Sequence, residues 1–130
     1  MEQHWVTAAD LIMSALAFTD LADNGRSPPV RIRALISMLR TEDGGRRTGI
    51  RSGYRPNHNF GSAEGRTFYI GQIDFPGETL IEPGQAAEVV VTFIPRPGLQ
   101  EALQPGRCWR IQEGPKLVAT GKVTELLGKV

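Results

Sequence analysis

Side chains able to do chemistry are few in this chain. One cysteine, Cys108, and two histidines, His4 and His58, are all the thiol and imidazole groups among its 130 residues. A thiol nucleophile activated by an imidazole would need Cys108 and His58 to meet in the fold. Each has a plainer reading. Cys108 sits inside a strand-like stretch beside Trp109, where a thiol is expected to be buried and inert. His58, among Asn57, Asn59 and Phe60, reads as a satisfied loop or strand histidine. A lone cysteine excludes an internal disulfide and a cysteine-based zinc site, and two histidines are too few for a metal cage. The acids are scattered, with no spacing that suggests a general acid–base couple. The sequence holds no GxxxxGK[ST] phosphate loop, no GxGxxG after a strand and no GxSxG elbow. The expectation is a protein that is not an enzyme and takes no cofactor and no metal.

Binding is the chemistry left, and the order of the charges carries more than their total. The formal net charge is only +1, which excludes a polyanion-binding tail and an acidic disordered segment. Residues 31–66 nevertheless hold eight arginines (31, 33, 40, 46, 47, 51, 55 and 66) against Glu42, Asp43 and Glu64. Residues 67–106 hold Arg96 against five acids, and residues 107–130 hold five bases against two. Most of the basic side chains are arginine, whose planar fork suits bidentate contacts to phosphate or carboxylate. Two basic stretches brought together would make one positive face, able to meet a phosphate backbone or an acidic protein.

The elements that must position these groups follow from period and punctuation. Residues 1–29 form a helix and a Pro-containing linker. Thr7 or Asp10 is a candidate cap, Ala8, Leu11, Ile12, Ala15 and Leu16 recur at helical spacing, and Phe18 lies on the other side. Asn24-Gly25 ends the helix before Ser27-Pro28-Pro29. A helix apolar on two sides docks against something, its own domain or a partner, and Leu11, Ile12, Leu16 and Phe18 are the candidate docking residues. From residue 30 to 130 the period is that of strands. Val30 to Met38 alternates, Thr41 to Gly45 is a turn, and Arg46 to Pro56 is a structured loop. Strands follow at 67–75, 87–94, 107–112 and 116–127, with one helical turn at 99–103 and a tight turn at Glu113-Gly114-Pro115 closing a hairpin. Fifteen glycines and nine prolines, most of them spread singly, fit many turns between short strands. No long helix intervenes, so the pattern is an antiparallel sandwich or a small closed barrel. The first ten residues carry no basic segment of a secretory signal, and no apolar run reaches the roughly 20 residues of a membrane helix. A cytoplasmic protein with no membrane partner is expected.

One string is specific. Thr41-Glu42-Asp43-Gly44-Gly45-Arg46-Arg47-Thr48, followed by Gly53-Tyr54-Arg55-Pro56, resembles the start of the C-terminal barrel, domain 3, of bacterial elongation factor Tu. Glu82-Pro83-Gly84, Trp109 to Gly114 and Val118 to Val123 resemble later motifs of that family, in the same order. The resemblance runs from about Val30 to Leu127 and covers neither a GTPase domain nor a second barrel. It implies an all-β, six-stranded antiparallel Greek-key barrel, with Gly44-Gly45 serving a turn and Gly121 a tightly packed strand position.

The resemblance also implies site residues. Glu113-Gly114 matches a turn that meets tRNA in the family, with Pro115 in place of a second glycine. Arg96 before Pro97 stands near the place of a family lysine that reaches RNA, and Asn57 replaces a glutamine. Arg46, Arg47, Tyr54, Arg55, Arg96, Glu113 and Gly114 are therefore the candidate contacts for RNA or a protein partner. Two readings follow. The first is a protein-interaction module tied to the translation machinery, and the alternative is a weak binder of tRNA or another RNA backbone.

Overall fold

The computed structural model describes residues 28–65 and 67–129. The expected helix with Leu11, Ile12, Leu16 and Phe18 lies outside the described residues. Six strands form a closed antiparallel barrel: β1 (Val30–Met38), β2 (Asn57–Asn59), β3 (Tyr69–Asp74), β4 (Ala86–Phe93), β5 (Cys108–Glu113) and β6 (Lys116–Lys129). Around the barrel they run β1-β4-β3-β2-β5-β6, and β6 pairs back onto β1. Closure leaves no long open sheet edge for another chain to pair with. The 14-residue β6 shifts register against β1 at Arg31/Ile32 and again at Arg33/Ala34. Such bulges sharpen the local twist and bend a long strand around a tight barrel.

Alternation selects the lumen. On β1, Ile32, Ala34, Ile36 and Met38 are buried while Arg33, Leu35 and Ser37 face out. Val89, Val91 and Phe93 of β4 and Trp109 and Ile111 of β5 complete the same interior. The short helix at Leu99–Ala102 sits where the sequence places it and buries Leu99 and Ala102. Cys108 corrects its expectation. Its neighbour Trp109 points inward, so strand alternation turns the thiol outward, where it is exposed. The same geometry removes any thiol–imidazole pair, because His58 is fully buried.

The strand with no apolar signal holds the barrel closed. β2 reads Asn-His-Asn, yet it pairs with β3 on one side and β5 on the other. His58 is its inward residue. Trp109 Nε1–H donates to His58 Nδ1 at 3.0 Å, and His58 Nε2 lies 3.0 Å from the carbonyl oxygen of Gly71. Because the indole only donates, Nδ1 must accept, so the proton sits on Nε2 and is donated to Gly71. One neutral ring thus ties β5, β2 and β3. Phe60 stacks on Trp109 with centroids 5.1 Å apart, and Phe93 meets His58 edge-on at 5.0 Å. Two glycines make room for this cluster. A Cβ on Gly71 would stand 2.9 Å from the Phe93 ring and 3.0 Å from His58 Nε2, and one on Gly121 would stand 2.5 Å from the Trp109 ring.

Burial holds the His58 imidazolium down to about 4, against an ordinary value of 6.5, with the Gly71 hydrogen bond opposing weakly. In the unfolded chain His58 takes a proton near 6.5, and in the barrel only near 4. Its contribution is complete above the higher value and is lost as pH falls toward the lower one, on the order of 3 kcal/mol in all. Urea midpoints followed by tryptophan fluorescence should hold steady above about pH 7 and decline between about pH 6.5 and pH 4.5; a flat profile there would contradict the buried neutral imidazole. Gly121→Ala should lose about 1–3 kcal/mol in the same assay, since its methyl must displace the indole.

Candidate functional site

The loop after β1 is built to be rigid. A 3-10 turn at Thr41–Asp43 ends on Gly44 at φ +97°. Gly45 follows so close to the backbone that a Cβ would lie 2.3 Å from the Leu39 carbonyl oxygen. This is the turn that the Gly44-Gly45 pair was expected to serve. The Thr41 hydroxyl then donates to the Arg46 carbonyl at 2.6 Å, and Arg40 bridges Asp43 at 2.9 Å.

Beyond Arg46 the chain lies along the part of β3 that the short β2 leaves uncovered. Ile50 pairs with Ile81 and Tyr54 with Ile73 as isolated antiparallel bridges. Gly53 N–H donates to Ile73 O at 2.8 Å, and Ile73 N–H donates to Tyr54 O at 2.8 Å. The loop therefore completes the sheet edge and presents Arg46 and Tyr54 beside the β5–β6 hairpin.

Glu113, the last residue of β5, gathers both. Its Oε2 accepts a hydrogen bond from the Tyr54 hydroxyl at 2.5 Å and a charged bond from Arg46 Nη1. The Arg46 guanidinium lies 5.2 Å from the Tyr54 ring centroid, and its Nε donates to Thr48 O at 3.1 Å. Burial alone would raise the Glu113 carboxyl, but the bonds from Tyr54 and Arg46 outweigh it and hold the group below its ordinary range. Burial, and then Glu113, push the Tyr54 phenol far up. At neutral pH the unit is a carboxylate, a guanidinium and a neutral phenol. The next residue, Gly114, takes φ +58° at the exposed hairpin tip, and Pro115 fixes the turn.

Of the seven candidate contacts, the fold brings Arg46, Tyr54, Glu113 and Gly114 together. Arg47 is exposed close by on the same loop. Arg55 is directed elsewhere. Its Nε donates to Gln72 Oε1 at 2.8 Å, and Gln72 Nε2 passes the chain to the Asp74 carboxylate at 3.1 and 3.0 Å. Ser52 caps the far end, donating to Asp74 at 3.5 Å and accepting from Phe75 N–H at 2.9 Å. Burial raises the Asp74 carboxyl despite these partners. Arg96 follows the β4 terminus that pairs with Val30 and Gly71, at the barrel end opposite the Gly114 tip. One positive face containing both Arg55 and Arg96 is therefore not what the fold builds.

The sequence reading missed Gln72, Asp74 and Ser52. No motif marks them, because their roles come from strand pairing. A groove of about 520 Å³ runs beside the cluster, lined by Arg46, Ile50, Arg51, Ser52, Tyr54 and Leu80 among others. Among the described residues no cluster of three or more His, Cys, Asp or Glu is placed to hold a metal ion, and no helix is long and apolar enough to cross a membrane.

Fold and site together define a small all-β domain: a closed six-stranded antiparallel barrel with an ordered polar surface where one loop locks onto one hairpin turn. The match to known families is direct. The model of the elongation factor Tu C-terminal domain covers residues 27–127, and the chain belongs to that family. It is 31% identical over 97 residues to elongation factor Tu 2 of Streptomyces avermitilis, an alignment covering 75% of this chain and 23% of that relative. The chain thus spans less than a quarter of the length of that protein.

Tyr54→Phe should lower stability by about 1–2 kcal/mol, the worth of a hydrogen bond to a charged acceptor, and Glu113→Gln by a similar amount. The double variant should lose less than the sum, because both changes break one shared bond. Urea unfolding at neutral pH of the four proteins measures that coupling, and strict additivity would show that the residues do not act as a unit.

Proposed function

We propose that this chain is a non-catalytic binding module linked to the translation machinery and that its principal ligand is a protein. One observation supports this above the others: the arginines that would make an RNA-binding face are spent inside the molecule or set apart. Arg46 is neutralised by Glu113, Arg55 is turned onto Gln72, Arg33 bridges Glu125 at 3.4 Å, and Arg96 sits at the far end. A phosphate backbone gains affinity from several cations at once, and this surface offers few that are free. A partner that reads shape and one fixed polar unit suits it better. The same reading carries a cytoplasmic setting and the Greek-key path: β2, β3 and β4 lie side by side and β1 returns beside β4.

The second reading, weak contact with a tRNA backbone, is favoured by the hairpin tip. Gly114 is exposed there, and Arg47 and Arg51 are exposed on the loop that packs against this hairpin. A turn glycine is able to offer its N–H to a phosphate without any side chain.

The test is capture with the tagged full chain from its source lysate, with and without nuclease, identifying both protein and RNA. The expected result is a defined protein of translation retained after nuclease. Enrichment of tRNA alone, removed by moderate salt and lost in an Arg47→Glu/Arg51→Glu variant, would overturn the protein reading in favour of the second.

A further inference from the structure

The groove beside the Arg46–Glu113–Tyr54 unit has donors to spare, while its acceptors are already used. Ile50 N–H donates to Ile81 O at 2.9 Å, and Ile81 N–H donates to Ile50 O at 3.0 Å. With both backbone groups of Ile50 turned to that neighbour, those of Gly49 and Arg51 face away from it. The carbonyls along this stretch are occupied from within. Thr48 O and Gly49 O accept from the Arg46 guanidinium at 3.1 and 3.5 Å, and Arg51 O accepts from Tyr54 N–H at 3.2 Å. The N–H groups of Gly49 and Arg51 have no partner among the described residues. The Arg51 side chain is exposed, lines the groove and makes no ion pair or hydrogen bond among the described residues. Among those residues no acidic side chain lines the groove. Glu113 beside it is engaged by Arg46 and Tyr54, and Glu82 reaches Gly49 without being part of the lining. The rest of the lining is partly aliphatic: Leu80 is half-buried in it, and Ile50 is 2% exposed.

We infer that this groove takes a short acidic segment of a partner protein, with carboxylates on the Arg51 guanidinium and N–H and an aliphatic side chain on Leu80. The inference rests on the protein reading above and names the chemistry that partner must offer. Donors without acceptors call for a ligand rich in acceptors, which carboxylates and peptide carbonyls supply. A cationic groove with no lining acid is complementary to such a segment. A volume of about 520 Å³ holds a few residues of peptide and no folded domain. A phosphate backbone would also satisfy the donors, but it carries no aliphatic group for Leu80. Its bases would find no open ring either. Tyr54, the one aromatic lining the groove among the described residues, has the Arg46 guanidinium laid over it, and stacking is what an unpaired base needs.

Fluorescence anisotropy with the purified full chain at low salt tests this. The probes are a short labelled peptide alternating aspartate and leucine, its asparagine–leucine counterpart, and a labelled RNA hairpin. The acidic peptide should bind about tenfold tighter than the amide one. Arg51→Gln should weaken it about fivefold, the effect of losing one exposed charge pair, and Leu80→Asp about tenfold, since it removes the apolar contact and adds a like charge. Arg51 is exposed, so its variant remains informative if Leu80→Asp fails to fold. Equal binding of the two peptides, or binding indifferent to Arg51→Gln, would overturn the inference. So would an RNA hairpin bound more tightly than the acidic peptide and weakened by Arg51→Gln, which would make the ligand a phosphate backbone. The lysate capture separates this inference from the reading beneath it. A nuclease-resistant protein retained equally by wild type and by Arg51→Gln would overturn the groove assignment and leave the protein reading standing, whereas tRNA as the only captured species would overturn both.

Discussion

The barrel is tied shut by two hydrogen bonds that meet on one neutral imidazole. β2 has three residues, too few to hold two neighbours by backbone pairing alone, and none is aliphatic. What fixes it is His58, which accepts from Trp109 on β5 and donates to Gly71 on β3. Protonating Nδ1, the accepting nitrogen, would set its N–H against that of Trp109 in a dry interior, where an unpaired donor is most costly. The aromatic packing of Phe60, Phe93 and Trp109 and the bare backbone of Gly71 and Gly121 follow from the need to seat that ring. Because β2 is short, the rest of the β3 edge stays open, and the loop carrying Arg46 and Tyr54 fills it. The candidate site exists where it does because the strand beside it stops early.

The site is also defined by what it withholds. Charge totals along the sequence suggest a positive loop. The fold holds these arginines locally: Glu113 pairs with Arg46 and Asp43 with Arg40, while Gln72 fixes the direction of Arg55. These pairs add little each where they are exposed, but they orient side chains, and the half-buried Arg46–Glu113–Tyr54 unit gives the hairpin tip a fixed shape. A surface of this kind distinguishes partners by geometry more than by field strength.

Much of the architecture was legible in the residues. Alternation from Val30 to Met38, the apolar run at Ala87 to Ile94 and the Glu113-Gly114-Pro115 turn each mark an element that the structure contains, and the ordered motifs around Gly44-Gly45 and Gly53-Tyr54 point to the family. What escaped has a common physical cause. The Asn-His-Asn strand carries no hydrophobic period, since its stability comes from side-chain hydrogen bonds to distant strands. Gln72 and Asp74 look like ordinary outward strand residues until the Ser52–Arg55 loop covers them. Cys108 was misjudged because nearness to Trp109 in sequence suggests shared burial, whereas neighbours on a strand face opposite ways. Arg96 joins the loop arginines only through its resemblance to a family lysine before a proline, and strand direction separates it from them.

The outward thiol next to an inward indole gives this barrel a built-in gauge of its own registration. Sliding β5 by a single residue would reverse every side chain on it, carrying Cys108 into the lumen and Trp109 into water. Thiol accessibility and indole emission are therefore opposite-signed reporters of one alignment. The chain holds only one cysteine, so labelling is unambiguous, and errors of strand alignment during assembly, which hide the thiol, can be told apart from simple loosening, in which Trp109 becomes accessible while Cys108 stays so.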